Sequence, residues 1–114
     1  MLLLWHSPPP AAPCQARLEL QRQGDLLVIT GHCRNLQPVA AHYRYEMALQ
    51  HEGTGGHSRS TQRGEANVAP NQEISLSQTR VNARPQDTYR VHLSVFDTEG
   101  RTLAQDSILQ TPAR

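Results

Sequence analysis

The side chains best suited to metal binding are few in this chain and lie far apart in its sequence. The 114 residues include two cysteines and six histidines. Metal sites need ligands that converge on one point, and pairs such as His-x₃-His often supply them. No pair of that kind occurs among His6, His32, His42, His51, His57 and His92. We therefore predict no metal site and no cofactor.

The sequence does not favour catalysis by a serine nucleophile or by a pair of carboxylates either. Acid pairs of the glycosidase type need two carboxylates that face a cleft, whereas the acidic residues here are dispersed among arginines. The glycines of "EGTGG" follow a strand but open no helix, so they make no phosphate-binding loop. The chain is therefore predicted not to be an enzyme. The serines that lie in strand-like contexts, without the setting of a nucleophile elbow, are Ser58, Ser60, Ser75, Ser77 and Ser94.

The two cysteines are predicted to form a structural disulfide across a hairpin. The strands "CQARLELQ" and "LLVITGHC" flank a tight turn, for which glycine supplies a positive φ. With the turn at residues 23–24, Cys14 lies opposite Cys33, and the apolar residues of both strands share one face. A bridge there would contribute about 3 kcal/mol and fits an oxidising compartment. Two unrelated buried thiols are the alternative, and the absence of Cys-x-x-Cys spacing disfavours a redox-active pair.

Alternation of apolar and polar residues predicts an all-β domain over residues 14–111. The period of two is clearest in "AHYRYEMAL" and "TYRVHLSV", where every second residue is apolar. Seven short strands at regular spacing are typical of an immunoglobulin-like (fibronectin III-like) β-sandwich, and Tyr89 stands where the tyrosine corner of that fold would lie. The polar run 58–68 is predicted to be an edge strand. The predicted strands are 14–21, 26–33, 41–49, 58–68, 72–79, 88–96 and 102–110.

The first 13 residues, "MLLLWHSPPPAAP", are predicted to lie outside the domain. Their apolar run is shorter than the stretch of about 7–15 residues in a secretory signal or of about 20 in a membrane helix. The segment is interpreted as either the remnant of a truncated signal or a disordered leader. No membrane partner is expected.

The charge of the chain is nearly balanced, and every basic side chain is an arginine. Lys+Arg total 11 and Asp+Glu total 10, which gives a formal net charge of +1, and the sequence contains no lysine. Binding to nucleic acid needs a strong positive field, so no nucleic-acid partner is predicted. Guanidinium groups suit bidentate contacts with carboxylates and amides.

A surface formed by the third and sixth strands is the predicted interaction site. In an immunoglobulin-like topology these strands are neighbours in one sheet. Their outward positions carry His42 and Arg44 on one strand, and Arg90 and His92 on the other. We predict that this stripe contacts an acidic or amide-rich polypeptide through salt-sensitive contacts. A solvated face with no partner is the alternative.

Three stretches carry a family resemblance: "YRYEM" at 43–47, "GTGGHSRSTQRGEANVAPNQE" at 53–73 and "TYRVHLSVFDTEGRTLAQDS" at 88–107. From Cys14 onward the chain resembles the CsgH family of curli assembly chaperones, the functional counterparts of CsgC. The resemblance implies a periplasmic protein that keeps unfolded, CsgA-like curli subunits from forming amyloid, and we expect a monomer. CsgC-type proteins carry a Cys-x-Cys pair that is missing here, so a redox role is not implied. An extracytoplasmic adhesion or assembly module that binds its partner by strand addition is the alternative.

Overall fold

The structure, a computed structural model, describes residues 12–53 and 55–111. Seven antiparallel strands form two sheets, of order β1-β2-β5 and β4-β3-β6-β7. They pack as a β-sandwich, which confirms the all-β prediction, while the narrower immunoglobulin-like class stays a prediction. Within the described residues no helix long and apolar enough to span a membrane is found. The strands are β1 (Cys14–Gln23), β2 (Leu26–Asn35), β3 (Ala41–Gly53), β4 (Gly56–Val68), β5 (Glu73–Asn82), β6 (Thr88–Phe96) and β7 (Thr102–Gln110).

Five of the strands are longer than the sequence pattern predicted, and β6 and β7 have the predicted bounds. The largest difference is in the hairpin of β3 and β4, which pair as far as Gly53 opposite Gly56. Residues 56–61 are all exposed, so this part of β4 has no buried face and gives no hydrophobic alternation. Strand β4 lies at the edge of its sheet, as predicted for the polar run 58–68.

The predicted leader falls largely outside the described residues, which begin at residue 12. Pro13 is described, and its carbonyl accepts a hydrogen bond from the Leu36 amide at 3.0 Å. The chain therefore runs beside the loop after β2 before β1 begins.

The register predicted for the first hairpin is wrong by two residues. Gln23 pairs with Leu26, so the turn residues are Gly24 and Asp25. Gly24 has φ of 62° at the first turn position, where a type II′ hairpin turn places glycine. A shift by two residues moves no side chain to the opposite face, so the hydrophobic pattern cannot distinguish the two registers.

Both cysteines are buried free thiols in the structure, without the predicted bridge. The observed register pairs Cys14 with Asn35 and Cys33 with Ala16, so the two are not directly opposite as predicted. They remain on the same, core-facing side of the hairpin because the error is an even number of residues.

The core lies between the two sheets and has two parts. Gly31 in β2 lies against Leu93, and a Cβ at this glycine would come 3.3 Å from a Leu93 methyl carbon. An added Cβ would therefore require the Leu93 side chain to move by a few tenths of an ångström. The larger part comprises Leu18, Leu27, Ile29, Met47, Leu49, Ala83, Tyr89, Val91 and Leu93. The smaller part comprises Cys14, Cys33, Tyr43, Val68 and Val95.

Tyr43, rather than Tyr89, contributes the buried tyrosine hydrogen bond. The hydroxyl of Tyr43 donates to Oδ1 of Asn35 at 2.9 Å. Tyr89 is the second residue of β6 and is buried, as a tyrosine corner requires. The hydrogen bonds found within residues 12–53 and 55–111 include none from its hydroxyl, so the predicted corner contact is not seen there.

The two sheets are joined differently along the two sides of the sandwich. Where β1 faces β7, the Asp106 carboxylate accepts a hydrogen bond from the backbone amide of Leu18 at 2.8 Å. Where β4 faces β5, the side chains of Gln62 and Thr79 are hydrogen-bonded. Only the first of these contacts occupies a backbone group at a strand edge, which makes that group unavailable to another chain.

Candidate functional site

The exposed surface of the four-stranded sheet carries the residues predicted to bind a partner. On β3 and β6 the outward positions are even-numbered, because Tyr43, Met47 and Leu93 are buried on the other side. Pairing with β4 and β7 arranges these outward residues in rows that cross the sheet. We call this surface the outer face.

Cross-strand ion pairs neutralise one end of the outer face. Arg44 Nε lies 3.3 Å from Glu65 Oε1, and Arg63 Nε lies 3.0 Å from Glu46 Oε2. Each pair joins directly opposite residues of β3 and β4. His42 Nε2 lies 3.7 Å from the same Glu65 carboxylate. A partner that binds here must compete with these carboxylates for the guanidinium groups.

The other end of the outer face carries two arginines outside any such pair. Arg59 on β4 and Arg90 on β6 both lie opposite Gln50 of β3. Arg90 also lies opposite Leu109 of β7. All four side chains are exposed, and the ion pairs found in the described part of the chain involve neither arginine. We call Arg59, Gln50, Arg90 and Leu109 the arginine row.

The structure divides the predicted site between these two ends. Arg90 belongs to the arginine row, and the half-buried His92 lies in the adjacent row. Arg44 and His42 lie in the ion-paired end, and Gln50 is the sixth residue after Arg44 along β3. At the usual rise per residue this separation is about 20 Å. The predicted stripe is thus one surface with two electrostatically different ends.

Sequence reasoning missed Arg59 and Glu65, which both lie on edge strand β4. The signal that would have found them is the glycine turn between β3 and β4, where Gly53 pairs with Gly56. Counting back from that turn places Glu65 opposite Arg44, so the pairing of its charge follows from the hairpin register.

A second polar site lies at one end of the sandwich. His51 Nε2 lies 2.8 Å from Asp87 Oδ2, and the Asp87 carboxylate also accepts a hydrogen bond from the Arg84 amide at 3.0 Å. The bond from His51, with that from the Arg84 amide, holds the pKa of Asp87 below its ordinary value. Ser58 lies opposite His51, so the residue types of a Ser-His-Asp triad meet here. The hydrogen bonds found in the described residues include none between Ser58 and His51.

Histidines and acidic residues meet elsewhere in the described residues only as pairs, such as His32 with Glu19 and His42 with Glu65. No group of three or more His, Cys, Asp or Glu side chains suited to a metal ion is found within residues 12–53 and 55–111. The pair of His51 with Asp87 likewise supplies two groups of the three or more that a site needs.

The fold is shared with the proteins CsgC and CsgH and with part of a larger enzyme. The E. coli curli protein CsgC superposes with a TM-score of 0.69 and 21% identity, covering 82% of this chain and 96% of that chain. R. palustris CsgH superposes with a TM-score of 0.64 and 17% identity, covering 87% and 92%. A Bacteroides uniformis β-glucuronidase matches 87% of this chain with only 14% of its own, at 13% identity and a TM-score of 0.62. At these identities each likeness establishes the all-β fold alone.

The family follows from the sequence match. The family of thin aggregative fimbriae synthesis proteins, Tafi-CsgC, matches residues 11–107, and the chain belongs to it. A search of curated proteins found no match. Family membership supports a role in curli assembly.

Proposed function

We propose that this protein is a periplasmic chaperone that inhibits premature amyloid polymerisation of curli subunits by transient, largely electrostatic contact with the unfolded client. The observation that carries this proposal is the arginine row, in which two exposed guanidinium groups flank an exposed glutamine on the outer face. Family membership supplies the process, which is curli assembly. The client in this proposal is a CsgA-like subunit.

The chemistry of the row suits an extended, polar polypeptide. Each guanidinium presents several donors in one plane and binds carboxylate or amide oxygens in a bidentate manner. Arg59 and Arg90 lie on strands that are two positions apart in the sheet, which corresponds to about 10 Å. Gln50 between them offers a donor and an acceptor to a backbone or an amide side chain. Leu109, which is 54% exposed, adds a small apolar contact at the end of the row.

Transient contact is the mode that these exposed groups favour. Surface charge pairs contribute little affinity each, because both partners stay solvated and are screened by salt. They raise the rate of encounter, which helps a chaperone that must meet a rare nucleus at low concentration. In this proposal Arg90 and His92 are client-binding residues, while Glu65 limits the contribution of Arg44 and His42.

The experiment that tests the proposal is a thioflavin time course of a curli subunit with substoichiometric amounts of this protein. We expect Arg59→Glu combined with Arg90→Glu to raise the concentration needed for half-maximal delay by on the order of tenfold, equivalent to about 1.4 kcal/mol. Because both side chains are exposed, the melting temperature should change little.

A matched control is available on the other sheet. Arg80 is exposed, lies on β5 and belongs to none of the ion pairs found in the described residues. A double variant that combines Arg80→Glu with Arg34→Glu changes the net charge equally and should retain inhibition, although it also breaks the surface ion pair of Arg34 with Glu73. Full inhibition by the Arg59/Arg90 variant, or equal loss in the control, would rule out the arginine row as the client site.

Strand addition is the second candidate, and the free edge of β4 favours it. This strand has 13 residues and ends its sheet, so one side of its backbone has no strand of the described residues beside it. A partner strand there would give a stable stoichiometric complex. Gel filtration separates the candidates, because transient electrostatic contact predicts that client and chaperone elute separately at moderate salt.

We further propose that the protein is an immunoglobulin-like, CsgH-type member of its family that acts as a monomer without enzymatic activity. The arrangement of three and four strands, with β3 beside β6, supports the immunoglobulin-like class. The missing Cys-x-Cys pair supports the CsgH type. Sedimentation velocity tests the monomeric state directly.

A further inference from the structure

The two cysteines lie close together in the smaller part of the core. Cys14 is the first residue of β1, and Cys33 is the eighth of β2. The register makes them diagonal neighbours, since Cys33 pairs with Ala16, two residues after Cys14. Their side chains are 1% and 0% exposed. Both belong to the same cluster of buried side chains.

We propose that Cys14 and Cys33 are an oxidation site, at which the chain forms one intramolecular disulfide when it meets a disulfide donor. No competing pairing exists within the chain, because these are its only two cysteines. The bond would link the beginning of edge strand β1 to the central strand β2 of the same sheet.

Formation of the disulfide requires a small movement of the start of β1, and the position of this strand at the edge of its sheet permits that movement. Diagonal neighbours across an antiparallel pair have Cα atoms about 7–8 Å apart, whereas a disulfide needs about 4.4–6.8 Å. Cys14 is the terminal residue of a strand that has a backbone partner on one side only. The start of β1 can therefore move toward β2 by about 1 Å without disturbing a second neighbouring strand.

The reaction is an exchange of two thiols for one disulfide. The thiolate of Cys14 attacks a sulfur of the donor, forms a mixed disulfide and expels one donor thiolate. The thiolate of Cys33 then attacks the Cys14 sulfur and expels the second, so the donor takes up both electrons and both protons as two thiols. The hydrogen bond from Cys33 lowers the pKa of the Cys14 thiol and raises that of Cys33, which favours Cys14 as the first nucleophile.

The disulfide donor can reach Cys14 because this residue is at the beginning of an edge strand. Both thiols are buried in the folded state, so the exchange occurs before β1 has joined the sheet or while its first residues are separated from β2. Once formed, the bond is covered by Tyr43, Val68 and Val95, which pack in the same part of the core. Reductants then reach it slowly, as expected of a structural bridge.

The test is refolding of the reduced, full-length protein in a glutathione redox buffer, followed by alkylation in denaturant and intact mass measurement. We expect a monomer that has lost two hydrogen atoms and carries no alkyl group. The melting temperature of this species should fall by on the order of 10 °C when a reductant is added. Two alkyl groups per chain, or dimers linked by disulfides, would overturn the proposal.

Variants distinguish the bridge from ordinary packing of the two side chains. Cys14→Ala and Cys33→Ala each leave one thiol, and we expect a single alkyl group and a melting temperature that does not respond to reductant. If the wild type were equally insensitive to reductant, the proposal would fail even if both variants were destabilised. These measurements involve no curli subunit, so their outcome is independent of the proposed function.

Discussion

The side chain of Asn35, at the end of β2, joins three segments of the chain. Its amide nitrogen donates to the carbonyl oxygens of Val39 at 2.8 Å and Val68 at 3.1 Å. Its carbonyl oxygen accepts from the Gln37 amide at 3.0 Å and from the Tyr43 hydroxyl at 2.9 Å. The side chain is fully buried, so each of these bonds replaces one to water that was lost on folding.

Removal of the Tyr43 hydroxyl tests this cluster. We expect Tyr43→Phe to lower the free energy of unfolding by about 1 kcal/mol, because Asn35 Oδ1 loses one of its two donors while the aromatic ring keeps its packing. Urea unfolding followed by circular dichroism measures the change. Tyr45→Phe is the matched control, since the hydrogen bonds found in the described residues include none from the Tyr45 hydroxyl. Equal destabilisation of both variants would contradict this role of Asn35.

At the scale of the strand, one side chain of β7 occupies a backbone amide at the edge of β1. Asp106 accepts the hydrogen bond of the Leu18 amide, which points away from the partner strand β2. An inward-pointing carboxylate at such a position occupies an edge amide and discourages pairing with another chain. The contact also ties the last strand of one sheet to the first strand of the other.

We expect Asp106→Ala to increase the hydrogen exchange rate of the Leu18 amide by roughly tenfold or more, because an amide left without its acceptor costs about 1–3 kcal/mol. Hydrogen exchange followed by NMR measures this rate. Asp106→Asn keeps an acceptor oxygen and should retain most of the protection. If the alanine variant exchanged at the wild-type rate, Asp106 would have no part in protecting this edge.

Strand positions and faces could be predicted from the sequence, whereas the register of the first hairpin could not. Buried residues such as Val91 and Leu93 alternate with polar ones, and this period identifies both the strand and its core-facing side. The turn at Gly24 and Asp25 is flanked by polar residues on the β1 side, so no apolar residue there fixes the alignment. A displacement of two residues preserves every face, and only the turn geometry distinguishes the alternatives.

For the whole molecule, stability in acid depends on carboxylates whose charged forms are stabilised by folding. Hydrogen bonds from Arg17, from His51 and from the Arg101 backbone amide hold the pKa values of Glu73, Asp87 and Asp97 below their ordinary ranges. A carboxylate with a lowered folded-state pKa binds fewer protons in the native state than in the unfolded one. Its contribution is therefore present above its ordinary pKa and is lost as the pH falls through the folded value.

We expect Asp87→Asn to lower the melting temperature most near neutral pH, and the difference from the wild type to shrink as the pH falls below 3.8, the ordinary pKa of this carboxyl. Thermal unfolding at a series of pH values measures this difference. A difference that stayed constant across the series would show that packing at Asp87, and not its charge, stabilises the fold.

The candidate site could be predicted in part at this scale. Alternation placed Arg44 and Arg90 on one face, and the neighbouring positions of β3 and β6 confirm that they share a sheet. The distance between them and the partner of each depend on cross-strand register, which one strand's sequence does not contain. Glu65 reaches Arg44 only through the β3–β4 pairing, so its neutralising effect becomes apparent from the assembled sheet.

The unlike sides of the sandwich have a consequence for polymer growth. A monomer that extends a chain must react at two ends, and one that reacts at a single end stops it. In the described residues the four-stranded sheet ends at β4 on one side and at β7 on the other, and β7 is tied to the other sheet by the contact of Asp106 with the Leu18 amide. A growing fibril that added this molecule through β4 would meet on its far side a shorter strand, of 9 residues against 13, that is held to β1. In the terms of polymer chemistry the two ends are unequal, so addition through β4 would slow the next step of growth.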